Sequence, residues 1–233
     1  MRSVQETLDW HRTELENSDA KLIKSIHIPG FSGFRRNGIN LLGSRAGMGT
    51  TNLLLSIAIE MANRSEHTLF ITTHHSELEV YRRLKSLIAT KSEVEGVLNK
   101  YLHIYEIEPH QVSNPKFAIT SLLTTQKLNN IIIDTCSIEV NEIRELLNNY
   151  ELTIIMSRLL GKSVELNSDY RPRYKDFTVK KINPKLADIV VALFTPEVYC
   201  IVRDEENNST DGVTEFIILK SPFESTNKRY KIS

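Results

Sequence analysis

The chain has 233 residues, 40% apolar and 25% charged, a composition that supports one large α/β domain or two small ones and excludes disordered or collagen-like chains. Lys and Arg number 29 against 29 Asp and Glu, so a zero formal net charge argues against a globally basic nucleic-acid binder and leaves only a local patch. Cys136 and Cys200 form no CxxC pair, no apolar run approaches the roughly 18 residues of a membrane span, and MRSVQETLDWHRTELE is too polar for a signal peptide; a cytoplasmic location without a membrane partner is expected.

Residues 3 to 20 predict a polar amphipathic helix, with Val4, Leu8, His11 and Leu15 three or four apart. HIPGFSGFRRNG then reads as a loop. Beyond it, INLLG predicts a strand, TNLLLSIAIEMANR a helix, TLFIT a strand and SELEVYRRLKSLIAT a helix. YLHIYEI predicts a further strand, NPKFAITSLLTTQKLN a helix, NIIID a buried strand, EVNEIRELLNNY a helix and LTIIMS another buried strand. Short apolar strands separated by helices imply a parallel sheet covered on both faces. After a polar stretch from 161 to 183, ADIVVALF, VYCIVRD and TEFIILK predict three closely spaced strands, the last two joined by a hairpin turn in DEENNSTDG. The expected fold class is α/β, a mainly parallel central sheet flanked by helices with antiparallel strands at the C-terminal end. A linker-like helix within residues 1–25 would precede a single domain over 26–233.

The stretch INLLGSRAGMGTTNLLLSIAI places a glycine-rich turn between a strand and a helix. A phosphate-binding loop reads GxxxxGK[ST] in that setting, its backbone amides and helix start surrounding phosphates while its lysine adds a point charge. The frame here is Ser44-Arg45-Ala46-Gly47-Met48-Gly49-Thr50-Thr51: Thr51 stands at the metal-binding hydroxyl, and Thr50 stands where the lysine would be. Taken alone, the pattern also fits a turn that merely packs a helix close to a sheet.

From about Gly33 to Lys220, the order of motifs resembles the C-terminal RecA-like ATPase domain of hexameric, DnaB-type replicative DNA helicases. The loop carries that family's Arg-x-x-Met-Gly-x-Thr core as Arg45, Met48, Gly49 and Thr51. TLFITTHHSELEVYRRL resembles its second strand, acidic turn and helix. NIIIDTCSI resembles the strand with the magnesium-associated aspartate, here Asp134, and TIIMSRLLGKSVE the strand ending in Ser-Gln-Leu. DYRPRYKDFTVKKINPKLADIVVALF aligns without a gap to the long Arg-Pro…Asp…Asp-Ala-Asp segment, keeping Asp169, Arg171, Pro172, Asp176, Ala187 and Asp188. TEFIILK matches the strand ending in the family's lysine, Lys220.

By the same resemblance, the departures fall where catalysis would be. The phosphate lysine corresponds to Thr50, the water-activating glutamate to His74, the γ-phosphate-sensing glutamine to Arg158, and the arginine finger to Pro222. An arginine finger supplies about 10³ to 10⁵ in turnover and a positioned base about 10² to 10⁴. These groups act as a unit, so the losses do not simply add, but helicase-grade hydrolysis is not expected and no catalytic residue is assigned. Weak ATP binding with magnesium is a separate matter, because the backbone amides of Gly47 to Thr51 need only the loop's geometry. Arg158 has two readings. It points into the loop as a surrogate cation, or it pairs with Asp134 and fills the pocket; the second is preferred because Asp134 would otherwise lack its metal. His74, His75, Asp134 and Cys136 gather near strand ends, but their spacing builds no metal cage, and none is expected.

Residues 162 to 185 hold seven basic residues, Lys162, Arg171, Arg173, Lys175, Lys180, Lys181 and Lys185, against Glu165, Asp169 and Asp176, with Tyr170 and Tyr174 interleaved. Loops in this region of the helicase family line the channel for single-stranded DNA, which makes Lys162, Arg171, Arg173, Lys175, Lys180 and Lys181 DNA-binding candidates; a solvated surface loop is the competing reading. The resemblance implies a binding or accessory protein of DNA replication, with a genuine replicative helicase or another replication protein as partner, and a monomer or weak oligomer. A residual ATPase completed by a partner subunit and a purely structural protein are the alternatives.

Overall fold

The computed structural model describes residues 21–88, 92–107, 119–120, 123–124, 127–135, 140–147, 150–177 and 183–232. The helix expected over 3 to 20, Cys136, Lys180 and Lys181 lie outside these residues, as does most of the segment NPKFAITSLLTTQKLN.

A central run of apolar sequence becomes the middle of an eight-stranded sheet. In chain order the sheet's strands are β3 (Ile39–Ser44), β4 (Thr68–Thr72), β5 (Leu102–Glu106), β6 (Asn130–Asp134), β7 (Thr153–Leu159), β8 (Ile189–Phe194), β9 (Thr214–Lys220) and β10 (Arg229–Ile232). Their spatial order is β10-β9-β8-β3-β7-β6-β4-β5. Six neighbouring strands run parallel, and β9 and β10 add antiparallel pairs at one edge. Two short strands, β1 (Leu22–Ile23) and β2 (Phe34–Arg35), pair with each other; β2 lies in the segment expected to be loop, and β1 at the end of residues 1–25 expected to hold a linker-like helix. The helices beside the large sheet include α1 (Thr50–Asn63), α2 (Glu77–Ile88), α3 (Ser92–Tyr101) and α4 (Val140–Leu147).

Alternation along the strands divides the core. Leu42, Phe70, Ile132, Ile155 and Val191 pack with Leu54, Ile57 and Met61 of α1 on one face, while Leu41, Ile71, Ile133, Met156 and Val190 pack with Ile143 of α4 and Phe177 on the other. Phe177 reaches the sheet because Gly43 leaves room: a Cβ at Gly43 would meet its ring at 2.2 Å.

Two expectations need correction. VYCIVRD is not a strand. Pro196 opens a 3-10 turn over Pro196–Tyr199, Cys200 takes a left-handed conformation, and the expected hairpin contributes one bridge, Arg203 to Ser209. The partner of β9 on that side is instead β10, a short polar edge strand that the hydrophobic pattern does not announce. The polar residues after α2 also form a helix, α3, which precedes β5.

Candidate functional site

Strand β3 ends at Ser44 and helix α1 begins at Thr50, so residues 45 to 49 must reverse the chain within five positions. Gly47 and Gly49 make that turn with φ of 82° and 76°, a region where a side chain is strained. Open space surrounds both, and among the described residues no side chain caps the first turn of α1. Its amides face a concavity of about 370 Å³ lined by the loop, Asn52, His75, Arg83, Thr135 and Leu159. Met48 is turned away and buried, its sulfur accepting the amide of Thr195 at 3.1 Å.

The hydroxyl of Thr50, at the lysine position, lies 2.5 Å from Ser44 Oγ and so closes back on the loop's own first residue. Thr51 Oγ1 donates to Asp134 Oδ2 at 2.8 Å, while Ser157 Oγ and Thr135 Oγ1 donate to Asp134 Oδ1 at 2.9 and 3.2 Å. Thr51 and Asp134, distant in sequence, thus come together at the end of the sheet. Asp134 does not pair with Arg158, and Arg158 is not a surrogate for the lysine. Strand alternation decides the matter. Ser157 and Leu159 face α1 and the cleft, whereas Arg158 falls on the opposite face with Met156 and Leu160. Arg158 therefore does not plug the cleft through Asp134.

Two arginines border the cleft. Arg45 donates to the carbonyl of Leu160 and to Glu165 Oε1, both at 2.8 Å. Arg83 of α2 donates to Glu79 Oε1 at 3.0 Å and to Asn52 Oδ1 at 3.4 Å. His75 Nδ1 lies 2.9 Å from the same Glu79 oxygen. Arg83 and His75 hold the Glu79 carboxyl below its ordinary range. The sequence carried this face in plain view, since His75, Glu79 and Arg83 recur every fourth residue. His74, assigned the glutamate's position, is exposed and does not line the cleft; His75 does. Among the described residues, no three His, Cys, Asp or Glu side chains gather to hold a metal ion.

Lys220 and Pro222 sit elsewhere. Lys220 is level with Val190, which is level with Leu41, so it lies toward the start of β3 and two strands away. Its ammonium donates to the carbonyls of Ala187 and Lys185, and burial lowers its pKa against the opposing pull of Asp188. Neither residue reaches this chain's own loop.

One arginine of the basic segment is internal scaffolding. Arg171, 11% exposed at its side chain, makes a two-pronged contact with buried Glu215, both bonds at 2.7 Å, and lies 5.1 Å over the Phe194 ring. Its pKa is raised, first by the Glu215 bond. It is not available to phosphates, which corrects its assignment to DNA. Buried Asp176 accepts from Asn167 Nδ2 and the amide of Arg173, and Asp188 accepts the amide of Ile39 at 2.8 Å. Lys162, Arg173 and Lys175 are exposed, although Arg173 leans on Asp169 at 3.4 Å. Tyr170 stacks on Tyr199, which stacks on Phe194, so one face of Tyr170 is already covered.

No protein-family model matches the chain, and no curated protein matches it. Solved structures do. One described as an ATPase domain is similar with a TM-score of 0.68 at 16% identity, over 99% of this chain and 95% of that one. A second, described as a DnaB-like replicative helicase and its interactions with primase, gives a TM-score of 0.67 at 17% identity, over 99% of this chain and 64% of that one. At such identities the likeness speaks to architecture, and it runs from end to end. The chain has the RecA-like fold of the ATPase domains of DnaB-like helicases.

Proposed function

We propose that this protein is a helicase-like RecA-fold protein that binds a nucleotide loosely, does not hydrolyse it at a motor's rate, and serves as a binding or accessory protein in DNA transactions. The observation that supports this is a loop that keeps its shape without its lysine. Its two left-handed glycines and uncapped helix start border an open cleft of about 370 Å³, while Thr50 satisfies its hydroxyl on Ser44. Backbone amides in that arrangement attract an anion on their own. A magnesium ion in a phosphate complex keeps several waters and takes one or two protein oxygens. Thr51 Oγ1 and Asp134 Oδ2, 2.8 Å apart, fit that need. Magnesium would neutralise phosphate charge there; the chain's own residues would only hold and orient.

Hydrolysis lacks support on the same grounds. Among the described residues no carboxylate lines the cleft, Asp134 being buried behind Thr51, and Arg45 and Arg83 are each engaged by a glutamate. The test is a pair of measurements on the full chain. Calorimetry with Mg·ATP should give weak but measurable binding, and steady-state turnover with single-stranded DNA should stay at background. Turnover by the unaided protein would overturn the inactive reading. Turnover that appears only with a replicative helicase added would establish a partner-completed ATPase, and no binding at all would leave a purely structural role.

A further inference from the structure

We infer that the cation absent from the loop is supplied by α2, and that Arg83 is the side chain that meets a nucleotide phosphate in this cleft; the inference rests on the nucleotide role proposed above. Thr50 brings no charge, and Arg158 falls on the other face of the sheet. Two guanidinium groups remain in the cleft wall, those of Arg45 and Arg83. They are held differently. The Arg45 side chain is 20% exposed, and two 2.8 Å bonds fix it to the Leu160 carbonyl and Glu165. The Arg83 side chain is 37% exposed, and its bonds are longer, 3.0 Å to Glu79 and 3.4 Å to Asn52. Asn52 belongs to the first turn of α1, so the Arg83 guanidinium already stands beside the amides that face the cleft.

Relative bond strength favours an exchange of partners. Glu79 is 45% exposed, and an ion pair between side chains so open to water shifts an equilibrium by less than about fivefold. A charge-assisted bond to phosphate shifts it by about tenfold or more. Glu79 is not stranded when Arg83 leaves, because His75 Nδ1 lies 2.9 Å from the same carboxylate oxygen and water reaches the group. Glu79 thus acts as a latch on the cation, and the four-residue spacing of His75, Glu79 and Arg83 puts latch, cation and replacement partner on one side of α2. The exchange supplies charge and no base, so it adds affinity without turnover.

The experiment is calorimetric titration of the full chain with Mg·ADP at one ionic strength, each variant's fold being checked by circular dichroism. Wild type is compared with Arg83→Gln, Glu79→Gln, the two changes combined, and Arg82→Gln, which removes the same charge from an exposed position outside the cleft wall. Arg83→Gln should weaken binding on the order of tenfold, the worth of one charge-assisted contact. Glu79→Gln should tighten it roughly two- to fivefold by releasing the arginine. The combined variant should bind no better than Arg83→Gln, and Arg82→Gln should match wild type. Binding by Arg83→Gln as tight as that of wild type, or weakened only as far as in Arg82→Gln, overturns the arginine's role while nucleotide binding stands. A gain from Glu79→Gln that persists without Arg83 overturns the latch. Binding by none of these proteins overturns the arginine's role and the nucleotide role together.

Discussion

At position 50 a threonine hydroxyl bonds to Ser44 where a lysine ammonium would reach outward into the cleft. The two states differ by one charge-assisted contact to phosphate, about 1.5 to 3 kcal/mol. Thr50→Lys should therefore tighten Mg·nucleotide binding by roughly 10- to 100-fold in calorimetry, with turnover still at background because base, sensor and finger remain absent. Arg171 poses the opposite case, a residue whose motif suggests ligand contact and whose surroundings forbid it. Glu215 is buried, Arg171 nearly so, and two 2.7 Å bonds join them. Removing one partner strands the other charge, so Arg171→Ala should cost about 3 kcal/mol or more in urea unfolding, and Arg171→Met with Glu215→Leu should recover much of it. A variant as stable as wild type would show that the pair does not hold segment 161–177 to β9.

At the level of elements, one strand and one helix explain most of what the cleft contains. Period-two alternation puts Ser157 and Leu159 toward α1 and removes Arg158 to the other face. A four-residue repeat puts His75, Glu79 and Arg83 along one side of the start of α2. The edge strand β5 carries a different consequence. His103 stacks on His67 at 5.9 Å with the rings 8° from parallel, and Tyr101 meets the His67 edge. Burial first, and then the neighbouring His67, push the His103 pKa below its ordinary 6.5. The folded chain thus binds this proton less readily than the unfolded chain. Its contribution is complete above the unfolded pKa of about 6.5 and is lost as pH falls through the lower folded value. Urea midpoints measured from pH about 7.5 down to about 5 should fall, and His103→Gln should flatten that slope. An equal slope in both proteins would remove the histidine pair from the account.

Across the whole molecule, neutral net charge and a basic segment partly spent on internal ion pairs leave little for nucleic acid. Among the described residues of that segment, Lys162, Arg173, Lys175 and Lys185 are exposed, and one face of Tyr170 is covered by Tyr199. Fluorescence anisotropy with a labelled single strand should show weak binding that fades with salt. Lys162→Ala with Arg173→Ala should make the salt slope shallower by about 0.7 per lost phosphate contact. Salt-independent binding, or none, would detach the DNA role from this surface.

The chain's local chemistry settled a good deal on its own. Apolar runs such as NIIID and TLFIT can only be buried strands, the glycines of RAGMG must turn a strand into a helix, and the run of helices between strands requires a parallel sheet. Those features depend on neighbours in sequence, where periodicity and turn chemistry act directly. Other outcomes depended on partners remote in the chain. That Arg171 would spend its charge on Glu215, that Asp134 would take Ser157 rather than Arg158, and that α3 and β10 would form at all are tertiary decisions. The physical reason is burial: a polar side chain is free or committed according to which groups the fold places within about 3 Å of it, and spacing along the chain does not carry that distance.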